Sequence, residues 1–111
     1  MKEHCYWVYI LTNTNNTTFY IGFTNDLYRR VREHKGEIDD EYMLDVKKKS
    51  FTHRYRLHKL VYYEFYNRVD LGIEREKQLK DWHRDWKLNL IKEMNPTFRD
   101  LSDELFAHWY D

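Results

Sequence analysis

The stretch from Cys5 to Thr24 constrains the fold more than any other. Cys5 to Leu11 (CYWVYIL) is β-branched and aromatic throughout, and Thr18 to Thr24 (TFYIGFT) alternates. The residues between them, Thr12 to Thr17 (TNTNNT), are polar turn formers. Two strand-like runs joined in this way read as a β-hairpin. Alternation places Phe19, Ile21 and Phe23 on one face of the second strand, the expected core side, and Thr18, Tyr20 and Gly22 on the other. Tyr20 therefore sits on the less apolar face beside Gly22, whose missing side chain leaves room for another backbone or a ligand to approach. In the first strand Tyr9 shares a face with Trp7 and Leu11.

Directly after the hairpin come Thr24, Asn25 and Asp26, all N-cap types, and a run from Leu27 to Lys35 without a breaker. A helix should start here and end near Gly36. At about 100° per residue, Leu27, Arg30, Val31 and His34 fall on one arc, while Arg29 and Arg32 point away from it. Residues 36–50 read as a polar excursion, and Lys59 to Phe65 (KLVYYEF) as a third strand. Asp70 is the expected cap of a helix running to about Trp82. A second helix, roughly Arg84 to Met94, stops at Asn95-Pro96. Ser102 is the expected cap of a short terminal helix, about 101–110, that carries Phe106, Trp109 and Tyr110. The order is β-β-α-β-α-α, an α+β fold with a three-stranded antiparallel sheet flanked by helices.

With 111 residues and a hydrophobic fraction of 41%, the chain is expected to form one domain, 1–111, with its core in about 5–96. No window approaches a membrane span and no signal-peptide pattern opens the chain, so a soluble, cytoplasmic protein is expected. Cys5 is the single cysteine, which excludes an internal disulfide, and no zinc-ligand spacing is present. Cys5 itself is expected to be a buried strand residue. The 19 Lys plus Arg balance 19 Asp plus Glu, yet the charges are segregated. Glu37 to Asp45 carries carboxylates and no Lys or Arg, whereas Lys47 to Lys59, which includes Arg54, Arg56 and Lys59, carries cations and no acid. Aromatics interleave this basic strip, as in a phosphate-binding surface.

On the helix from Asp70, one arc joins Gly72, Ile73, Glu76 and Leu79, and a rival apolar arc runs through Leu71 and Trp82. Periodicity alone leaves both open. On the first arc Glu76 faces the sheet, where a carboxylate needs a cation.

Val8-Tyr9-Ile10, Tyr20-Ile21-Gly22, Thr24-Asn25-Asp26-Leu27 with Arg30 and His34, and Glu76-Lys77-Gln78-Leu79-Lys80 together resemble the GIY-YIG nuclease superfamily. The likeness is to its small stand-alone bacterial members, similar to the N-terminal domain of the bacterial excision-repair endonuclease, and covers about residues 5–96. The resemblance implies a phosphodiesterase that cuts DNA (duplex, flap or branched) with one divalent metal, Mg²⁺ or Mn²⁺. By position, Tyr9 would be the general base or orient the attacking water, and Tyr20 would bond the metal-bound water or the scissile phosphate. Arg30 would stabilise charge on the phosphate, His34 would lie near the nucleophile, and Glu76 would be the sole protein ligand to the metal. Thr24, Arg54, Arg56, Lys59, Lys80 and Asn95 are the candidate substrate contacts.

The chemistry suits these residue types. A carboxylate-held Mg²⁺ and a guanidinium fork both address developing phosphate charge, and one glutamate suffices because Mg²⁺ keeps most of its waters. Tyrosine, with a reference pKa near 10, is the harder base and histidine the easier one; residue type leaves Tyr9 and His34 both open. Trp7 departs from the pattern, standing where the first triplet has glycine. A pI of about 7.0 is low for a nuclease acting alone, which allows for weak DNA affinity or a protein partner. The alternative reading is a nucleic-acid-binding module of the same fold with negligible catalysis. A further one is an interaction domain that forms a homodimer through Leu105 to Tyr110.

Overall fold

The computed structural model describes residues 4–36 and 55–106. The excursion after Gly36, Arg54, most of the basic strip, and Trp109 and Tyr110 lie outside the described residues. The elements are β1 (Tyr6–Thr12), β2 (Phe19–Thr24), α1 (Leu27–His34), β3 (Lys59–Tyr66), α2 (Val69–Asp81), α3 (Arg84–Met94) and α4 (Ser102–Phe106). The three strands form one antiparallel sheet in the order β2-β1-β3. This is the α+β architecture that the order of strand-like and helical segments predicts. No helix among the described residues is long and apolar enough to cross a membrane.

The central strand explains why β1 reads as continuously apolar. Val8 to Thr12 are all buried, because helices cover both faces of the sheet. On one face Val8, Ile10, Ile21 and Val61 meet Leu79 of α2 and Ile91 of α3. On the other, Tyr9, Leu11 and Leu60 meet Leu27 and Val31 of α1 and Leu101. The face that carries Tyr20, expected to be the less apolar one, is thus a second core. Alternation breaks in β3, where the register with β1 shifts between Ile10 and Leu11. That irregularity lets the neighbours Val61 and Tyr62 share one core while Leu60 lies in the other.

The turn residues of the hairpin act through their side chains. Asn13 Oδ1 accepts the backbone N–H groups of Thr17 (2.8 Å) and Thr18 (3.2 Å). Asn16 adopts φ 57°, a left-handed conformation that asparagine tolerates better than most residues. Before α1, Asp26 is the cap, its Oδ1 accepting the N–H of Arg29 at 3.2 Å. Thr24 Oγ1 in turn accepts the N–H of Asp26 at 3.0 Å.

Three local expectations are corrected. The N-cap position of α2 is Arg68 rather than Asp70; Asp70 lies inside the first turn, where a carboxylate complements the helix dipole, and Arg68 binds it at 2.7 and 3.1 Å. Ser102 opens α4 but does not cap it. Its N–H (3.0 Å) and Oγ–H (2.7 Å) are instead both accepted by Asp100 Oδ1, two residues earlier. Cys5 precedes β1 and is half-buried, because the strand begins one residue later.

The open side of β3 is closed by the segment after α3. Leu101 N–H bonds to the carbonyl of Leu60 (2.8 Å), and Asp100 Oδ1 accepts Leu60 N–H (3.2 Å). Asp100 also takes the ammonium of Lys35 at 2.6 Å. Burial alone would raise its pKa, but the hydrogen bonds from Lys35 and Ser102 outweigh this and hold the carboxyl below its ordinary value. Asn95, 2% exposed, donates from Nδ2 to the carbonyls of Val61 (3.2 Å) and Arg99 (2.8 Å) and accepts Arg99 N–H at Oδ1 (3.3 Å). Replacing Asn95 by Ala strands these buried backbone groups. The Asn95→Ala variant should lose roughly 2–4 kcal/mol of unfolding free energy, measured by urea denaturation; a loss under about 0.5 kcal/mol, the usual size for a surface change, would show that the amide is not a strut.

Candidate active site

Tyr9 sits at the centre of the sheet, paired with Gly22 of β2 on one side and Tyr63 of β3 on the other. It is fully buried. Its ring lies across Gly22: a Cβ there would stand 2.4 Å from both Cζ and Oη of Tyr9. The space at Gly22 is therefore filled by the phenol of the neighbouring strand. From this position the Tyr9 hydroxyl meets His34 Nε2 at 3.1 Å.

Two further rings close the cluster. Tyr20 lies with its ring centroid 6.2 Å from that of Tyr9 and 5.3 Å from that of His34. His34 reaches them from the last turn of α1, where it is buried on the same side as Leu27 and Val31. Burial pushes the Tyr9 phenol well above the ordinary range; the neighbouring Tyr20 adds to this, Arg30 opposes it by charge and hydrogen bond, and Glu76 raises it again. Of the five residues singled out by their motif positions, Tyr9, Tyr20 and His34 touch one another from β1, β2 and α1, and Arg30 of α1 and Glu76 of α2 both act on the phenol by charge.

The helical arcs hold with two refinements. Arg30, with 22% of its side chain exposed, lies at the rim of α1, and its Nη1 is 3.4 Å from Glu33 Oε1. Glu33 was not foreseen. Its carboxylate is 2% exposed and also stands 3.9 Å from Arg29 Nε; the spacing of one acid three and four residues after two arginines is the signal that could have found it. On α2 the arc of Gly72 and Leu79 is the buried one, although Ile73 at its edge is 36% exposed. Glu76 shares that side with 16% of its side chain exposed, and Lys80 Nζ is 3.4 Å from its Oε2.

The rotation of α2, and so the aim of Glu76, is held from both flanks. Gly72 sits against Phe23, where a Cβ would meet the ring at 2.5 Å. One residue before Glu76, Arg75 binds Glu64 of β3 at 3.0 Å through both Nε and Nη2 and lies over the ring of Trp82 at 5.0 Å. Glu64 also accepts hydrogen bonds from Tyr62 and Tyr66. Burial disfavours its charge, but the hydrogen bonds from Arg75 and the two tyrosines prevail and keep it ionised. For Tyr66 the balance is reversed: burial, with Glu64 behind it, pushes its phenol up to about 12.

The expected substrate contacts divide. Lys80 joins the cluster through Glu76, and Thr24 lines a groove that also contains Arg30. Arg56, exposed in a turn with φ 55°, and Lys59, at the start of β3, lie on the other side of β1 from β2. Burial presses the Lys59 ammonium below the ordinary lysine value, against the pull of Asp100. Asn95 is committed to the backbone within the core, and Arg54 is outside the described residues. Among the described residues, no group of three or more His, Cys, Asp or Glu side chains converges as a metal cage.

A chain with this sheet, two tyrosines on adjacent strands, an arginine one helix away and a carboxylate on a later helix has the pattern of a GIY-YIG domain. The family model for the GIY-YIG catalytic domain matches residues 5–89, and the chain belongs to this family of nucleases. No curated protein and no solved structure matches the chain significantly.

The Gly22 contact makes a prediction that needs no substrate. Gly22→Ala should cost about 1–3 kcal/mol through overpacking against the phenol, and the cost should shrink in a Tyr9→Leu background where the ring is gone. Equal costs in the two backgrounds, measured by chemical denaturation, would show that Tyr9 does not occupy the space.

Proposed function

We propose that this protein is a metal-dependent endonuclease that hydrolyses DNA phosphodiester bonds, acting on structured DNA such as the flaps and branches of repair and recombination. The observation that carries the reading is the buried Tyr9 hydroxyl bonded to His34 at 3.1 Å, with Arg30 and Glu76 acting on it.

Glu76 fits a Mg²⁺ or Mn²⁺ ion. It is the carboxylate at the rim of the cluster, and an ion that retains several waters is held by one or two such groups plus substrate oxygens. When bound, the ion supplies charge for a phosphate oxygen and acidifies its water. Lys80 is the cation that Glu76 faces in the structure described.

Each side chain then has a defined task. Arg30 offers its guanidinium to the phosphate, where negative charge builds during attack. Glu33 orients Arg30 from below, and Tyr20 borders the phenol of Tyr9. Burial keeps Tyr9 protonated, so a free phenolate is not the base at neutral pH. In the His34 tautomer with its proton on Nδ1, Tyr9 donates to Nε2. Proton transfer through this pair has Tyr9 pass its proton to His34 as it takes one from the attacking water. The oxygen of that water then bonds to phosphorus as the leaving oxygen departs.

Labelled single-stranded, duplex, flap and branched DNA should be cut with Mg²⁺ or Mn²⁺ and not with EDTA. Arg30→Ala and Glu76→Ala should each lower the rate by about 10²- to 10³-fold. Cutting that survives in either variant, or in EDTA, would overturn these roles.

The pH dependence separates the two candidate bases. The quantity to follow is the wild-type rate as a function of pH. Between about pH 8 and 10, around the ordinary phenol value, it should stay level, because the folded site holds the Tyr9 proton above that range. A tenfold rise per pH unit through that window, seen in a pH–rate profile, would instead mark a phenolate base.

A further inference from the structure

A groove of about 510 Å³ runs along the junction of β2 and α1, bordered by Tyr6, Phe23, Asn25, Arg29 and Arg30. It begins at the candidate active site, since Arg30 belongs to both. It adjoins a smaller depression of about 180 Å³ that shares Tyr6, Asn25 and Asp26 with it. Tyr6 thus stands as a flat wall between two spaces. Its ring is stacked nearly parallel on Phe23, 5.8 Å between centroids and 10° between planes, and Phe23 is braced from behind by Gly72 of α2.

We infer that this groove is a subsite for an unpaired nucleotide adjacent to the scissile phosphate, with its base stacked on Tyr6 and its phosphate against Arg29. The inference rests on the nuclease reading above and deepens it to a substrate class: DNA that presents a single-stranded or unstacked base beside the cut. A flat aromatic wall serves any base, because every base has a π-face, whereas a base inside a duplex already has both faces stacked. The groove has the volume of ligand sites in general, which span about 300–1,000 Å³.

Charge agrees with shape. Of the two carboxylates at this junction, Glu33 is 2% exposed against the two guanidinium groups, and the half-buried Asp26 accepts the N–H of Arg29 through Oδ1 at the helix cap. The Arg29 side chain is 40% exposed. The groove thus presents a guanidinium and aromatic rings beside one half-buried carboxylate, Asp26; cation and ring are the pairing that serves the backbone and bases of single-stranded nucleic acid.

The test uses the full chain in EDTA, so that binding is read without cutting. Single-stranded and flap oligonucleotides carrying 2-aminopurine at successive positions are titrated against wild type, Tyr6→Ala and Tyr6→Phe. Wild type should quench fluorescence at one or two adjacent positions only. Tyr6→Ala should lose that quenching and bind about 5- to 100-fold more weakly, whereas Tyr6→Phe should retain both. If Tyr6→Ala fails to fold by circular dichroism, Arg29→Ala takes its place and should weaken binding with a shallower salt dependence while keeping the quenched position.

Quenching equal at all positions, unchanged in Tyr6→Ala, or as strong in an intact duplex overturns the subsite, and so does binding unaltered in Arg29→Ala. Cleavage of the same flap in Mg²⁺ is scored separately. Cutting without position-dependent quenching sinks the subsite alone, and position-dependent quenching without cutting sinks the nuclease reading alone.

Discussion

The phenol of Tyr9 laid across Gly22 is the contact on which the rest of the site depends. A tyrosine on a central strand is ordinarily pointed into a core and lost to chemistry. Here the missing side chain on β2 opens a path across the neighbouring strand, and the hydroxyl emerges against His34 of α1. The same ring fills the face of the sheet that packs on Leu27 and Val31. One residue therefore joins core and site. That economy has an energetic consequence: burial stabilises the neutral phenol and sets the protonation state that any chemistry must start from.

The opposite side of the site is fixed by charge as well as by packing. Helix α2 could roll on an apolar sheet, since Leu71 and Ile73 give it apolar surface outside the buried arc. The Glu64–Arg75 pair, with two tyrosines donating to the same carboxylate, opposes that roll. A bidentate arginine has directional hydrogen bonds that a hydrophobic contact lacks. Since Arg75 immediately precedes Glu76, locking one sets the direction of the other. Asp100 plays the matching part at the β3 edge, joining the strand, the start of α4 and Lys35 at the end of α1.

Much of this was legible in the sequence, and the reasons differ by element. The hairpin, α1 and the boundaries of α3 follow from local chemistry: turn formers, cap residues and the Asn95-Pro96 stop act within a few residues of themselves. For the candidate site, alternation and helical arcs gave the faces of Tyr9, Tyr20, Arg30, His34 and Glu76, whereas their roles were legible only as a family pattern, because how far apart those faces lie depends on long-range packing that periodicity does not encode. Local patterning also misjudged particular points. Asp70 looked like a cap because aspartate favours both the cap and the first turn, and Arg68 settled which. The burial of Val61 and Tyr62 side by side breaks the strand period through a register shift that depends on the partner strand. Asn95 came from the family pattern rather than from local patterning, and its amide serves backbone groups brought to it by Val61 and Arg99.

Trp7 tests how a family pattern should be weighed against geometry. The first triplet ordinarily opens with glycine, and in this chain an indole stands two residues before Tyr9 on the same face. Its contacts point the other way. The Trp7 ring meets Tyr63 and Phe65 of β3 edge-on, at 6.0 and 5.1 Å, while the phenol of Tyr9 crosses toward Gly22 of β2. The two side chains leave the central strand toward opposite edges. The glycine that this arrangement cannot lose is therefore the one in the second triplet, since only there does the phenol occupy the place a Cβ would take. Position 7 accepts a large ring because β3 offers it an aromatic surface, at a favourable edge-to-face geometry, on the side of the strand that the Tyr9 hydroxyl does not use.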